Sequence, residues 1–300
     1  MTAALSPVEP PAGPASGPSS RSIARARGRR GRATPLAIAG GAGAAIVVFV
    51  ALFGPLIAPY APNAADFNLV LAPPLSPHHV LGTDQLGRDL LSRMLYGART
   101  TLEAGIASTL LGSLVGLPIG ILAGYFRGPL DVVLMRLIDV TLAFPFLLLA
   151  VGLAAVSQPS LWNAVLALGF SQVPQIARIA RGTTLEVRDL EYVQAAVVNG
   201  ERDGAIMVRH VLPSVLLPVV TATTVAVPTS IVGAAILSFL GLGVQPPTAD
   251  WGAMLAQAQS YLYQAPWLGV FPGIAIFLAA LCFNLLGDGV TDALDPRRGR

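Results

Sequence analysis

The sequence contains no lysine, a single cysteine and three histidines. A phosphate-binding loop of the Walker A type is therefore excluded, because that loop needs a lysine to reach the nucleotide phosphates. Cys282 has no partner for an internal disulfide, and we expect it to be a small packing residue. His78 and His79 lack a nearby third ligand, so we expect a solvated loop there rather than a metal site.

Charged residues of either sign are also scarce. They make up 12% of the chain, while 54% of its residues are hydrophobic and the mean hydropathy is +0.67. An ordinary soluble domain has about 25% charged residues. Long stretches without any charge reach or exceed the roughly 20 residues that a helix needs to cross a bilayer. The composition therefore predicts an all-α integral membrane protein.

Six transmembrane helices are predicted from the apolar stretches. They lie at about residues 36–57, 102–125, 131–156, 161–180, 214–240 and 267–286. Pro159 divides a charge-free stretch that is too long for one crossing. Apolar residues between Leu90 and Leu95 recur at helical spacing, which predicts a separate amphipathic helix along the membrane surface. The second half of the fourth crossing, SQVPQIAR, is too polar to face lipid on all sides.

The arginines orient these helices. Cytoplasmic segments of membrane proteins collect basic residues, and only Arg88, Arg93 and Arg99 fall outside the segments that would then be cytoplasmic. Both termini are thus predicted to be cytoplasmic. The first 34 residues are rich in Pro, Ala, Gly, Ser and Arg, which predicts a disordered tail. A cleaved signal peptide is the competing interpretation, but its leader would be unusually long, so an uncleaved anchor is favoured.

A charged segment, YVQAAVVNGERDGAIMVRHVLP, interrupts the apolar sequence between the fourth and fifth predicted crossings. Its pattern predicts a helix at 189–199, ended by Gly200 in a left-handed turn. A second helical stretch at 201–211 follows, and Pro213 begins the next crossing. One face of the first helix would carry Tyr192, Ala195, Ala196 and Asn199. The small residues on that face permit close approach by a groove of another protein, or equally packing on the chain's own bundle.

This segment resembles the EAA signature of ABC importer permeases, in which an acidic residue and two alanines precede a glycine and a later Leu-Pro. The matching residues are Ala195, Ala196, Gly200, Leu212 and Pro213. Gln194 stands where the signature has glutamate. Four more stretches resemble the C-type permease subunit of dipeptide, oligopeptide and nickel importers. They are HVLGTDQLGRDLLSRMLYGART, MRLIDVTLAFP, SFLGLGVQPPTADWGAML and FNLLGDGVTDALDPR, and the resemblance extends over about residues 36–298.

The resemblance implies a type I ABC importer permease fold in a bacterial plasma membrane, with no enzymatic activity and no cofactor in this chain. It implies as partners a second, B-type permease, two cytoplasmic ATP-binding subunits, an extracytoplasmic solute-binding lipoprotein, membrane lipid and a peptide, with no nucleic acid. The coupling element to the ATP-binding subunits would comprise Tyr192, Gln194, Ala195, Ala196, Gly200, Asp203, Arg209, Leu212 and Pro213.

The domain organisation follows from the same resemblance. It comprises a cytoplasmic tail at 1–34, the first transmembrane helix and an extracytoplasmic loop at 35–97, an ABC transmembrane type-1 domain at 98–288 and a second cytoplasmic tail at 289–300. Dipeptides, longer peptides, nickel chelates and glycopeptide-like substrates all stay open.

Two other classes of function are disfavoured by the residues. A channel or secondary transporter would use intramembrane charges, but Glu103, Arg136 and Asp139 lie near the ends of predicted spans, and no internal repeat is visible. An intramembrane enzyme would need a nucleophile and a base at membrane depth, and no histidine or acid lies well inside a predicted span.

Overall fold

The computed structural model describes residues 35–294, and every regular element in that range is helical, which confirms the predicted fold class. In chain order the helices are α1 (Pro35–Ile57), α2 (Leu90–Phe126), α3 (Gly128–Leu142), α4 (Phe146–Ser157), α5 (Leu161–Arg188), α6 (Glu191–Val198), α7 (Asp203–Ile206), α8 (Leu212–Phe239), α9 (Trp251–Ala258) and α10 (Trp267–Leu294). The predicted tail at 1–34 and residues 295–300 of the predicted second tail lie outside the described residues.

The number of membrane spans differs from the six predicted. Four continuous helices of the described chain are long and apolar enough to cross a membrane: α1, α2, α10 and the stretch Asp203–Phe239 that contains α7 and α8. The pair α3 and α4 would make a fifth span. The helix α5 is not among them, because the polar sequence SQVPQIAR lies in its middle. The predicted count of six is therefore not exact.

The predicted third crossing, 131–156, is a broken helix rather than a straight one. Its two parts, α3 and α4, are bent by 82° relative to each other. The bend lies at Pro145, which cannot donate a backbone hydrogen bond and disfavours helical geometry at Phe144. Ion pairs connect α3 to α5. The Nε atom of Arg181 in α5 lies 2.6 Å from a carboxylate oxygen of Asp131 in α3. A second ion pair, which is exposed, joins Asp139 of α3 to Arg178 of α5.

The helix α2 is longer than predicted. The segment between Leu90 and Leu95, predicted as a separate surface helix, forms the first turns of α2, which runs for 37 residues. The carboxylate of Asp89 caps it by accepting a hydrogen bond from the backbone N–H of Ser92 at 2.8 Å. The prediction of a separate surface helix was wrong. Polar side chains separate the apolar residues near Leu90 from the apolar stretch that begins at Leu102, but polar side chains alone do not interrupt a helical backbone.

Glycines allow α2 and α5 to pack closely over much of their length. The glycines of α2 that face α5 recur every fourth residue at Gly112, Gly116, Gly120 and Gly124. A Cβ atom on Gly120 would lie 2.4 Å from the carbonyl oxygen of Ala177 and 2.5 Å from the Cβ of Ala180. Only hydrogen fits at such a distance, and small residues at this spacing let membrane helices approach each other.

The replacement Gly120→Leu is expected to force α2 away from α5. Overpacking of this kind costs about 1–3 kcal/mol, so the thermal unfolding midpoint of the detergent-solubilised protein should fall. The matched control is Gly182→Leu, because Gly182 is also helical and its Cβ would meet no atom within 4 Å. Equal midpoints for the two variants would contradict the close approach of the helices.

The connection between α1 and α2, residues 58–89, packs around two of the three arginines that lie outside the predicted cytoplasmic segments. Arg88 belongs to the connection itself, and Arg93 belongs to the first turn of α2. The guanidinium Nε of Arg88 lies 2.7 Å from a carboxylate oxygen of Asp84, and the Nε of Arg93 lies 3.5 Å from the same oxygen. Arg93 also donates to the backbone carbonyl of Pro62 over 3.0 Å. All three charged side chains are buried, so this connection is a folded unit.

The two adjacent histidines of this connection have different surroundings. His78 is exposed, as predicted for a loop. His79 is buried, its Nδ1 atom lies 2.9 Å from the carboxylate of Asp89 and its ring packs on that of Tyr60. The prediction of a solvated pair is therefore wrong for His79, because an acid ten residues later in the chain provides a buried partner.

The loop before α9 is joined to α2 by buried polar contacts. The carboxylate of Asp250 accepts hydrogen bonds from the Thr101 hydroxyl at 2.9 Å and from the backbone N–H of Ala253 at 3.0 Å. Burial nevertheless raises the pKa of Asp250. The indole N–H of Trp251 donates to the carbonyl of Met94 over 2.9 Å. These contacts explain the polar TADW sequence: it caps α9 and fixes it against α2.

Candidate functional site

The charged segment contains one short helix, α6, whose inner face is packed on the bundle. Val193 and Ala196 are 0% and 5% exposed. They belong to an apolar cluster that includes Val187 of α5, Ile206 of α7 and Val215 of α8. The predicted helix at 189–199 is confirmed, although it starts two residues later. Its tertiary contacts fix its orientation, since eight residues alone would not be stably helical.

The turn after α6 has the predicted left-handed geometry at Gly200, where φ is 76°. The backbone N–H of Gly200 donates to the carbonyl of Val197, and that of Glu201 donates to the carbonyl of Ala196. This is the hydrogen-bond pattern of a glycine-terminated helix. A Cβ on Gly200 would meet no atom within 4 Å, so the glycine is required by its backbone conformation and not by crowding.

The second predicted helix, 201–211, is not a separate cytoplasmic element. The helix α7 continues through a π-helical turn at Met207–Val211 into α8, so that one uninterrupted span runs from Asp203 to Phe239. In this turn the backbone N–H of Leu212 donates to the carbonyl of Met207, five residues earlier. Pro213 explains the wider turn, because its ring cannot fit against the carbonyl that a regular α-helix would place there.

The face predicted to carry Tyr192, Ala195, Ala196 and Asn199 is divided in the structure. Ala196 packs inward, whereas Ala195, Tyr192 and Asn199 are exposed. Packing on the chain's own bundle, one of the two alternatives left open by the sequence, thus applies to Ala196, whereas Ala195 stays exposed. The hydroxyl of Tyr192 lies 3.3 Å from that of Ser214 at the start of α8.

Gln194 makes a contact that the glutamate of the EAA signature could not make. Its side-chain amide donates to the carbonyl of Arg188 over 2.9 Å. That carbonyl belongs to the last residue of α5 and has no later partner within its own helix. A carboxylate at this position has no proton to donate, so the departure from the signature has a local structural role.

Sequence reasoning missed the most exposed apolar side chain of α6. Val198 is 86% exposed, and Val197 beside it is also exposed. The signal was available, because Val198 follows Ala195 by three residues and therefore lies on the same side of a helix. The outward face of α6 thus combines Ala195 and Val198, a small and an apolar residue that no other part of residues 35–294 covers.

The remaining residues of the predicted coupling element lie around α6. The carboxylate of Asp203 accepts a hydrogen bond from the Tyr125 hydroxyl at 2.8 Å. Leu212 packs against the same apolar cluster as Ala196, and Pro213 is exposed. Arg209 is exposed. No group of three or more histidine, cysteine or acidic side chains within residues 35–294 is placed to hold a metal ion.

Two family models match the chain. One is described as "Binding-protein-dependent transport system inner membrane component" and matches residues 116–300. The other is described as "N-terminal TM domain of oligopeptide transport permease C" and matches residues 27–78. The first model includes the whole candidate site, and the second includes α1 and much of the connection that follows it.

Curated relatives are similar to most of the chain. The "Glutathione transport system permease protein GsiD" of Pectobacterium atrosepticum is 43% identical over 263 residues, which cover 87% of each chain. The "Di/tripeptide transport system permease protein DppC" of Pseudomonas aeruginosa is 41% identical over 257 residues, which cover 84% of this chain and 85% of the relative.

A solved structure of the MetNI methionine ABC transporter in an inward facing conformation has a similar fold. It superimposes with a TM-score of 0.56 and 20% identity over 68% of this chain and 96% of the other. An amino acid ABC transporter structure gives a TM-score of 0.51 at 20% identity, over 65% of this chain and 91% of the other. The architecture is therefore that of a type I ABC importer permease.

Proposed function

The chain belongs to the family of binding-protein-dependent transport system inner membrane components, and on that premise we propose that it is one of two permease subunits of a peptide importer in a bacterial plasma membrane. A second, B-type permease completes the translocation path. Two cytoplasmic ATP-binding subunits drive it, and an extracytoplasmic solute-binding lipoprotein delivers the peptide. The relatives named for di/tripeptide and glutathione transport support a peptide as the substrate.

The observation that carries this proposal is that one side of α6 is buried and the other side is exposed. Its inner side is held by the bundle through Val193 and Ala196, while Ala195 and Val198 are exposed on its outer side, where we propose that a partner docks. A helix fixed in this way moves as a unit with the helices on either side of it. Closure of the ATP-binding subunits around ATP can then shift the bundle between two arrangements.

The orientation in the membrane follows from the arginines. We place both termini and α6 in the cytoplasm, and the α1–α2 connection and the loop before α9 outside. In this arrangement α5 also crosses the membrane, packed along α2, and its polar Gln172 donates to the hydroxyl of Ser230 in α8 over 2.6 Å instead of facing lipid. Arg88 and Arg93, the apparent exceptions to the charge rule, are buried beside Asp84, so they are not free loop charges of the kind that the rule counts. Only Arg99 is an exposed exception.

Single cysteines are expected to report this orientation after the native thiol is removed by Cys282→Ala. A cysteine at exposed Gly204 should react with a membrane-impermeant maleimide only in permeabilised cells, whereas one at exposed Thr248 should react in intact cells. The two positions serve as controls for each other. Labelling of Gly204→Cys in intact cells would contradict the arrangement.

The function itself is tested by uptake. Cells in which the gene for this chain is deleted should lose ATP-dependent uptake of labelled di- and tripeptides and regain it when the chain is restored. The matched control is the restored chain carrying Ala195→Glu, which should insert but not transport. If the deletion leaves peptide uptake intact and abolishes uptake of a nickel chelate, the peptide assignment is wrong.

A further inference from the structure

Beneath α6, the side chain of Tyr125 joins three elements at the end of α2. The ring is buried in the apolar cluster that also contains Ala196. The hydroxyl donates a hydrogen bond to Asp203 over 2.8 Å, and the guanidinium carbon of Arg188 lies 5.6 Å from the ring centroid. Asp203 is the first residue of α7 and Arg188 is the last residue of α5. Tyr125 therefore contacts both ends of the segment that holds α6.

This position links α6 to α2, the longest regular α-helix among residues 35–294. The helix α2 has 37 residues and ends one residue after Tyr125. At a rise of about 1.5 Å per residue it extends about 55 Å to the α1–α2 connection. A displacement of α6 shifts the end of α5 and the start of α7, and a close-packed interior passes such a shift on rather than absorbing it.

We propose that the hydrogen bond between Tyr125 and Asp203 is the positioning contact that passes movement of α6 to α2. The inference rests on the proposed function of α6 as the element that meets the ATP-binding subunits. It adds Tyr125, a residue 78 positions before its partner and outside the EAA-like segment, to the coupling machinery. Tyr125 acts through Asp203 and touches no substrate in this role.

A second polar contact links the end of α2 to the end of α5, and it is a weaker candidate. Arg127 donates to Asp189 over 2.6 Å, but the two side chains are 41% and 60% exposed. Exposed ion pairs of this kind contribute little, because water and salt screen them. The acceptor Asp203 is exposed too, but the Tyr125 hydroxyl donates to it from a buried ring, and hydrogen bonds to charged groups are the stronger kind.

The test uses Tyr125→Phe, which keeps the buried ring and removes only the hydroxyl. In proteoliposomes that contain the complete transporter, the number of peptides taken up per ATP hydrolysed should fall about tenfold, which corresponds to the loss of one charge-assisted hydrogen bond. Basal ATP hydrolysis and association with the ATP-binding subunits should not change. Asp203→Ala should give the same loss, and the double variant should lose no more than either single variant.

Two further variants separate coupling from stability. Asp203→Asn keeps an oxygen that can accept the hydrogen bond but removes the charge, so its uptake per ATP should lie between the parental value and that of Asp203→Ala. Asp189→Asn, the matched control, should keep the parental value. If Tyr125→Phe lowers the unfolding midpoint but leaves uptake per ATP unchanged, the contact is merely structural and the proposal is overturned. A parental complex without any peptide-stimulated hydrolysis would overturn the proposed function, and this inference with it.

Discussion

Transporter complexes that carry Ala195→Glu are expected to insert normally and yet to lose peptide-stimulated ATP hydrolysis and peptide uptake together, to below about a tenth of the parental rates. Ala195 is exposed on the outward face of α6, so the glutamate has room in the isolated chain. In a docked interface it would bury an unpaired charge, and such a charge costs several kcal/mol, where about 1.4 kcal/mol is already a factor of ten. Rates are measured in vesicles with all partner subunits.

The control substitutions follow from the structure around α6. Ala195→Ser adds little volume and no charge, so it should preserve transport. Ala196→Glu should behave differently from Ala195→Glu, because Ala196 is 5% exposed within the bundle. The buried charge should lower the amount of folded chain rather than the coupling of a folded complex. Ala195→Glu complexes that transport at the parental rate would show that α6 does not meet the ATP-binding subunits.

Gly200→Val should also uncouple the complex, but through the backbone. A β-branched residue at φ 76° is strained by about 1–2 kcal/mol or more, so the turn that orients α6 should rearrange although the outward face is unchanged. Gly204→Val is the matched control, because Gly204 is equally open, has no positive φ and lies four residues away. A similar loss in both variants would point to added bulk instead of backbone strain.

The second large effect is expected at the buried charges of the α1–α2 connection. Asp84→Ala removes the carboxylate beside Arg88 and Arg93 and leaves both guanidinium groups buried without a counter-charge. Breaking a buried pair in this way costs about 3–5 kcal/mol. The yield of folded protein and its thermal unfolding midpoint should both fall sharply, as measured on the detergent-solubilised complex.

Asp66 provides the control in the same connection. Its exposed carboxylate accepts a hydrogen bond from the backbone N–H of Asn68 over 3.0 Å and pairs with no arginine of the described part of the chain. Asp66→Ala should lower the free energy of unfolding by about 1 kcal/mol, the usual effect of losing a side chain that caps a backbone N–H group. Asp84→Asn keeps the hydrogen-bonding shape without the charge, so its thermal unfolding midpoint should lie between those of Asp84→Ala and Asp66→Ala. Equal midpoints for Asp84→Ala and Asp66→Ala would mean that the buried charges do not hold the connection together.

Several features of this protein were determined by the sequence alone. Charge-free stretches of bilayer length predicted the helical membrane fold, because a lipid environment leaves few other solutions for backbone hydrogen bonds. The helix before Gly200 and its left-handed turn were also predicted, since a glycine at the end of a helix acts through its own backbone. The break at Pro145 could have been found in the same way, because proline acts on its immediate neighbours.

Other features were decided only by the tertiary structure. Adjacent alanines look alike in sequence, yet Ala196 is buried by residues of α5, α7 and α8 while Ala195 is not. The contact between Tyr125 and Asp203 joins residues 78 positions apart, and no local pattern reports it. The physical reason is the separation in sequence over which each feature is determined. Spacing along the chain fixes which side chains share a helix face, whereas burial depends on which distant helix covers that face.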